Sequence, residues 1–216
     1  MAGKNLSAVE MSALRQEELE TLVEQLPTLD LGSFRYVSFH APSSMQHDFE
    51  GAALGYLQQV ARLGWPIIVH PDAMYKPEEW AKLGNRLCLE NMDKRKPIGQ
   101  TADDLSKLFE RLPDATLCFD IGHARQVDPT MSEACAILSC FAERIQQVHI
   151  SEVNTQSKHD ALSLESILAF QKVCHLLPTD VPVILESRVD EPEIMNEVRR
   201  ACEALSPDHQ LALAGD

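Results

Sequence analysis

The chain has 216 residues, of which 44% are hydrophobic and 24% charged, an ordinary composition for a globular protein with a substantial core. Its 19 basic and 33 acidic side chains give a net charge of −14, which disfavours non-specific attraction to nucleic acid or an anionic membrane. No apolar run approaches the ~20 residues that span a bilayer, and residues 1–7 lack the pattern of a signal peptide. We therefore expect one cytoplasmic domain over residues 1–216, without a membrane partner.

Short apolar strands alternate with helical patterns along the chain. A first strand is predicted at 8–12 and a first amphipathic helix at 16–25. Six further strands are predicted at 36–40, 67–70, 87–90, 117–120, 148–150 and 183–186. Helical patterns occupy 52–63, 78–83, 101–112, 132–145, 162–177 and 193–205. This order is typical of repeated βα units.

The alternation predicts an α/β fold, a TIM-type (β/α) barrel with about seven strands. A complete barrel has eight strands and typically ~250 residues, so this chain is short of one βα unit or incomplete at its N-terminus. Such a barrel would expose apolar edge surface, which favours a homodimer.

Six of the predicted strands carry a carboxylate or an imidazole at or next to their C-terminal end, at intervals of 20 to 37 residues. In a parallel barrel these ends share one rim, where function gathers. The sharpest set is Glu90, Asp120, His149 and Glu186. Carboxylates combined with an imidazole suit Mn²⁺, Zn²⁺, Mg²⁺, Co²⁺ or Fe²⁺, and a cation would offset the cost of burying the charges. The alternative is four separate polar groups bonded to loop backbone.

Four more histidines extend this rim. His40 and His70 end neighbouring strands and indicate a second metal or a contact to a phosphate or sugar. His123 is expected in a loop just above Asp120, where it would bind a second metal, contact substrate or cap a helix. His159 is expected in a loop beside Lys158, whose ammonium would bind an anionic substrate group or simply be solvated.

The order of these residues resembles the xylose isomerase-like TIM-barrel superfamily, which includes sugar-phosphate isomerases and epimerases and zinc-dependent apurinic endonucleases. The resemblance covers about residues 35–190 and consists of His40, His70, Glu90-Asn91, Asp120-x-x-His123, His149-Ile-Ser, Lys158-His159 and Glu186-Ser187. It implies that Glu90, Asp120, His149 and Glu186 are the shared metal ligands. In the isomerase branch it also implies that Glu90 and Glu186 act as acid and base, and that His123 contacts the substrate.

In the endonuclease branch the resemblance implies three zinc ions. The ligands of the first would be His40, His70 and Glu90, and those of the second Glu90, Asp120, His149 and Glu186. The third would use His123, His159 and an aspartate two residues before His159. That position is Ser157 here, so the sequence departs from the third site.

The sequence favours a divalent-metal-dependent isomerase or epimerase for a small sugar, a sugar phosphate or a related hydroxy-carbonyl compound. Glu90 and Glu186 would move a proton through an enediolate that the cation stabilises. The alternative, a zinc-dependent phosphodiesterase, is favoured by the outer histidines. The charge of −14 and an aromatic content of only 6% disfavour it. A second alternative is a metal-binding barrel that is not catalytic or that a partner completes.

Overall fold

The computed structural model describes residues 6–205. Residues 1–5, part of the N-terminal stretch without a signal-peptide pattern, and residues 206–216 lie outside the described residues. Between residues 6 and 205, no helix has the length and apolar character needed to cross a membrane.

Strands and helices alternate along the described chain. The strands are β1 (Ala8–Ser12), β2 (Tyr36–His40), β3 (Ile67–Val69), β4 (Leu87–Glu90), β5 (Thr116–Asp120), β6 (Ile145–Ile150), β7 (Glu152–Val153), β8 (His159–Asp160) and β9 (Val183–Leu185). The α-helices are α1 (Gln16–Gln25), α2 (Glu50–Ala61), α3 (Pro77–Trp80), α4 (Ala102–Arg111), α5 (Ile121–Val127), α6 (Ser132–Phe141), α7 (Leu164–Gln171) and α8 (Ile194–Leu205).

Seven strands form one parallel sheet in the order β1-β2-β3-β4-β5-β6-β9. β9 lies beside β1, although no strand pairing joins the two within the described residues. The sheet is therefore a nearly closed barrel with helices between its strands, and the predicted TIM-type barrel of about seven strands is confirmed. Strands β7 and β8 form a separate antiparallel hairpin that follows β6.

The barrel strands divide their side chains between the helix layer and the barrel interior, as strand alternation requires. In β4, Leu87 and Leu89 pack into the apolar core under the helices, whereas Glu90 faces the interior and contacts histidines there. The same alternation in β5 and β6 turns Asp120 and His149 inward at the same end of the barrel. The interior is therefore polar at the rim.

Helix α4 follows the sequence signals at its N-terminus. Thr101 is the predicted N-cap, and its Oγ1 accepts a hydrogen bond of 3.1 Å from the backbone N–H of Asp104. The inner face of the helix buries Leu105, Leu108 and Phe109. Because apolar residues recur at the helical period of 3.6 residues, this face of the helix covers the barrel wall with apolar side chains.

Two loop predictions are wrong. The segment that carries His123 is the first turn of α5, because Asp120 caps this helix and its Oδ1 accepts from the His123 backbone N–H at 2.6 Å. His159 belongs to β8, a strand of two residues that is too short to give an alternation pattern. In addition, β3 and β9 end one residue earlier than predicted, so His70 and Glu186 directly follow their strands.

Several helix ends also differ from the sequence prediction. Helix α6 ends at Phe141 and not at residue 145, and α7 covers Leu164–Gln171 and not 162–177. A short 3₁₀ turn comes after each helix: Ala142–Arg144 directly after α6, and Cys174–Leu176 after an interval of Lys172 and Val173 beyond α7. Such turns keep the apolar spacing of a helix end, so periodicity alone does not separate them from the helix.

The start of α5 requires glycine at residue 122. A Cβ there would lie 2.5 Å from the Ser151 carbonyl oxygen and 2.8 Å from Val153 Cγ2. We predict that Gly122→Ala lowers the free energy of unfolding by about 1–3 kcal/mol, because overpacking displaces backbone. Equilibrium urea unfolding measures the change.

The matched control is Gly55→Ala in α2, where the new Cβ meets no described atom within 4 Å. This control should raise the free energy of unfolding by about 0.5–1 kcal/mol, since alanine is the better helix former. Equal stability of the two variants would contradict the close packing at Gly122.

Candidate metal centre at the barrel rim

The Glu90 carboxylate lies at the centre of the rim, and its side chain is 1% exposed. Its Oε2 lies 3.2 Å from His40 Nε2 and 3.1 Å from His70 Nε2. Its Oε1 lies 3.3 Å from His123 Nδ1 and 3.4 Å from His149 Nδ1. Burial acts to raise the pKa of Glu90, but the imidazoles around it hold that pKa well below its usual value. The carboxylate is therefore ionised and fully enclosed.

The four residues that the sequence predicts as shared metal ligands come together. Glu90, Asp120, His149 and Glu186 each offer one ligand atom, and these atoms lie within 4.8 Å of one another. We call these four residues the inner set. Three of them end or lie near the end of β4, β5 and β6, and the fourth directly follows β9.

The inner set fits a divalent cation. Among the described residues, the buried oxygens Asp120 Oδ2 and Glu186 Oε2 have no hydrogen-bond donor. The nearest imidazole nitrogens, His123 Nδ1 and His159 Nδ1, lie 3.4 Å away in each case without completing a hydrogen bond. Buried carboxylate oxygens without donors are costly. A cation such as Mn²⁺, Mg²⁺ or Zn²⁺ would satisfy both atoms.

A second ligand set shares Glu90 with the first. His40, His70 and Glu90 also offer ligand atoms within 4.8 Å of one another. His40 Nδ1 lies 2.6 Å from the Ala41 carbonyl oxygen, and His70 Nδ1 lies 3.2 Å from the Ser43 carbonyl oxygen. A carbonyl oxygen only accepts hydrogen bonds, so each Nδ1 donates and each Nε2 is left facing Glu90. Each Nε2 would give up any proton that it shares with Glu90 and become the ligand atom when a cation binds.

A third group joins Asp120, His123 and His159. Ser157, where the endonuclease pattern has an aspartate, is not part of it. The Ser157 hydroxyl donates to Asp93 Oδ1 at 2.8 Å and accepts from Gln126 Nε2 at 2.8 Å. The neighbouring Asp160 is exposed and accepts from Asn154 Nδ2 at 2.7 Å. The carboxylate of this group is therefore that of Asp120, which also belongs to the inner set.

Basic side chains near the rim are partly neutralised. Arg95 holds Asp93 with two nitrogens, at 3.0 and 3.1 Å, and Lys96 pairs with Asp72 at 2.8 Å. Lys158 is exposed in the turn between β7 and β8. Its contact to an anionic substrate group stays a prediction, as do the substrate contacts of His40 and His123.

Sequence reasoning missed Glu10. This residue lies in the middle of β1, and its side chain is 4% exposed inside the barrel. Its Oε2 accepts from the Ser38 hydroxyl at 2.8 Å and from Gln147 Nε2 at 2.8 Å, and lies 3.3 Å from His149 Nε2. Strand alternation could have placed the Glu10 side chain inside the barrel, because Glu10 stands between Val9 and Met11 in a predicted barrel strand.

The rim is a dense group of interacting charges. Burial and the carboxylates Glu90 and Asp120 raise the pKa of Glu186 to about 8. Burial acts to lower the pKa of His40, but Glu90 and Glu10 raise it to about 9. The metal-free rim therefore holds protons at neutral pH.

These protons must leave when a cation takes the ligand atoms. We predict that Mn²⁺ binding releases protons, and that Mn²⁺ affinity rises between about pH 6 and pH 8 because acidification keeps Glu186 and His40 protonated. Isothermal titration calorimetry in buffers of different ionisation enthalpy measures the release. A binding heat that is independent of buffer, with an affinity that is independent of pH, would contradict it.

The comparisons with known proteins bear on the fold. The sequence matches no protein-family model and no curated protein. Endonuclease IV from Thermus thermophilus has a similar structure, with a TM-score of 0.58 and 19% identity over 89% of this chain and 81% of that chain. The 3-keto-D-glucoside 4-epimerase from E. coli, in its apo form, gives a TM-score of 0.52 and 13% identity over 87% of this chain and 86% of that chain.

A putative sugar phosphate isomerase/epimerase from Anabaena variabilis ATCC 29413 is also similar, with a TM-score of 0.52 and 17% identity over 85% of this chain and 71% of that chain. All three structures are xylose isomerase-like TIM barrels. The chain therefore has the fold of that superfamily, and the resemblance drawn from the sequence is confirmed at the level of the fold.

Proposed function

We propose that the protein is a divalent-metal-dependent isomerase or epimerase for a small sugar, a sugar phosphate or a related hydroxy-carbonyl compound. The observation that carries the proposal is the environment of Glu186. Its Oε2 is buried without a hydrogen-bond donor among the described residues, yet its side chain is 20% exposed at the rim. A carboxylate that is both poorly solvated and accessible suits the removal of a proton from carbon.

The inner set would hold the cation through Glu90, Asp120, His149 and Glu186. When bound, a divalent cation polarises the carbonyl and hydroxyl oxygens of such a substrate and makes the C–H beside the carbonyl more acidic. His123 and His159 line the same side of the rim, with ring centroids 5.5 Å apart. These imidazoles would donate hydrogen bonds to substrate oxygens.

Glu90 and Glu186 differ in their access to a substrate at the rim. Both oxygens of Glu90 face imidazoles and its side chain is 1% exposed, so Glu90 serves chiefly as a shared ligand. Glu186 would take the proton from the carbon beside the carbonyl, which leaves an enediolate. Return of that proton to the former carbonyl carbon, together with transfer of the hydroxyl proton from one substrate oxygen to the other, completes an isomerisation. Epimerisation needs a second proton donor on the opposite face, for which His123 is the candidate.

The structural neighbours support this substrate class. Two of the three similar structures described above are named as sugar-processing proteins, a 3-keto-D-glucoside 4-epimerase and a putative sugar phosphate isomerase/epimerase. Their identities of 17% and 13% link them to this chain through the fold. Specificity in such barrels comes from the loops after each strand, so the fold leaves the particular sugar open.

Phosphodiester hydrolysis by two metal ions is the second candidate. The observation that favours it is the set of His40, His70 and Glu90, which shares Glu90 with the inner set. Two adjacent cations would activate water and stabilise a leaving oxygen. Against it stand the net charge of −14 and the pairing of Arg95 and Lys96 with aspartates. A nucleic-acid backbone would find little free positive charge there.

Hydrogen exchange tests the first candidate. Mn²⁺-loaded protein should transfer solvent deuterium into at least one member of a panel of ketoses, ketose phosphates and 3-keto-glucosides, read by proton NMR. Glu186→Gln should slow this exchange roughly 10²–10⁴-fold at saturating Mn²⁺, because the proton acceptor is lost. Glu165→Gln, at a side chain that is 87% exposed and paired with Arg125, is the matched control and should exchange at the wild-type rate.

The same preparations separate the two candidates. Cleavage of an abasic-site oligonucleotide, abolished by His70→Asn, with no exchange into any panel member would reject the isomerase and establish the hydrolase. Exchange that persists in His70→Asn but fails in Glu186→Gln would support the isomerase. Undiminished exchange in Glu186→Gln would reject the role given to this residue.

A further inference from the structure

We propose that Glu10 is the positioning residue of His149. In this inference Glu10 accepts a hydrogen bond from His149 Nε2–H and so presents His149 Nδ1 to the inner set as the metal-binding nitrogen. The inference rests on the metal site of the proposed function and extends it to a residue at the other end of the described sequence.

Three rim histidines are oriented by backbone carbonyl groups. His40, His70 and His123 each place Nδ1 within 2.6 to 3.2 Å of a carbonyl oxygen, from Ala41, Ser43 and Asn91 respectively. Each of these nitrogens must carry the proton, because a carbonyl oxygen only accepts. A ligand histidine commonly donates its second N–H in this way, and the bond fixes both the tautomer and the ring orientation.

His149 is turned the other way. Its Nδ1 faces the inner set, at 3.4 Å from Glu90 Oε1 and 3.3 Å from Glu186 Oε1. Its Nε2 points into the barrel, where Glu10 Oε2 lies at 3.3 Å. For the other three rings the hydrogen-bond acceptor is a backbone carbonyl oxygen. For His149 the acceptor is therefore the Glu10 carboxylate.

The interior holds Glu10 in position for this role. The Ser38 hydroxyl donates to Glu10 Oε2 at 2.8 Å, from the neighbouring strand β2. Gln147 Nε2 donates to the same oxygen at 2.8 Å from β6, across the barrel. With a side chain only 4% exposed, Glu10 has little water to compete for its lone pairs.

Gln147 offers His149 a competing arrangement. Its Nε2 lies 2.7 Å from His149 Nε2, which would accept a hydrogen bond if that ring nitrogen carried no proton. The Tyr36 hydroxyl donates to Gln147 Oε1 at 2.7 Å, and the Glu10 carboxylate, which only accepts, fixes the amide nitrogen on its own side. Gln147 Nε2 has other acceptors, Glu10 Oε2 at 2.8 Å and Cys118 Sγ at 3.5 Å. When His149 donates to Glu10, the amide therefore turns its two N–H groups to these acceptors, and the Gln147 and His149 nitrogens, both then donors, move apart from 2.7 Å.

The choice between the two arrangements decides whether His149 can bind a cation. A neutral ring that accepts from Gln147 carries its proton on Nδ1, the nitrogen that faces the inner set. A ring that donates to Glu10 leaves the Nδ1 lone pair free. Loss of such an orienting carboxylate typically costs 10–100-fold in metal affinity.

The test combines affinity with a tautomer measurement. Zn²⁺ is the probe, because it is diamagnetic, and the full chain is labelled with ¹⁵N-histidine. Long-range ¹H–¹⁵N spectra, with His149→Asn used for assignment, should show the His149 proton on Nε2 and zinc on Nδ1 in the wild type. Glu10→Gln should lower Zn²⁺ affinity 10–100-fold in competition with a chelator, and should weaken the Nε2–H signal.

Glu50→Gln is the matched control. Glu50 is also buried, and its Oε1 accepts from the backbone N–H groups of Tyr75 and Lys76 and from Trp80 Nε1, away from the rim. This control should lose stability but keep the wild-type Zn²⁺ affinity and the wild-type His149 spectrum. An equal loss of affinity in Glu50→Gln would mean that general destabilisation explains the effect, and would overturn the inference.

The remaining outcomes separate this inference from the proposed function. Wild-type protein that binds Zn²⁺ with the proton on His149 Nδ1 would overturn the role of Glu10 and leave the metal site standing, even if Glu10→Gln failed to fold. A Zn²⁺ affinity of Glu10→Gln within twofold of the wild-type affinity would also overturn the role of Glu10 and leave the metal site standing. Wild-type protein that binds no Zn²⁺ would overturn both the role of Glu10 and the metal site of the proposed function.

Discussion

Burial of the Glu90 carboxylate requires that imidazoles converge on it from several elements. An ionised carboxylate at 1% exposure is costly unless it is paired and hydrogen-bonded. Its partners come from the end of β2, the residue after β3, the first turn of α5 and the end of β6. Loss of Glu90 would leave four imidazoles facing one another. The same carboxylate belongs to both ligand sets, so it couples the packing of the barrel to the chemistry of the rim.

A second polar layer below the rim supports this arrangement. Glu10, Ser38, Gln147 and Tyr36 form hydrogen bonds that cross the barrel from β1 and β2 to β6. Buried polar networks of this kind stabilise a fold only when their members are satisfied, and here the network reaches the ring of His149. Closure of the barrel and orientation of the His149 ring therefore depend on the same contacts.

The sequence predicted the rim because two local rules act together. Alternation turns Glu90 and Asp120 inward, and parallel strands bring their C-terminal ends to one edge. Glu10 was not predictable as a site residue, because its contact with Gln147 joins positions 137 residues apart and exists only in the folded barrel. The helical setting of His123 was missed because a single capping bond from Asp120 starts α5. The substrate stays open because loops, not strand ends, carry specificity.

We expect the rim to hold a divalent cation between carboxylate oxygens that have no hydrogen-bond donor among the described residues. Anomalous X-ray diffraction from crystals grown with Mn²⁺ tests it most directly. We predict an anomalous peak at about 2.0–2.3 Å from Asp120 Oδ2 and Glu186 Oε2. A second peak beside His70 Nε2 would favour the two-metal hydrolase. Manganese confined to exposed carboxylates such as Glu165, with none at the rim, would contradict the claim.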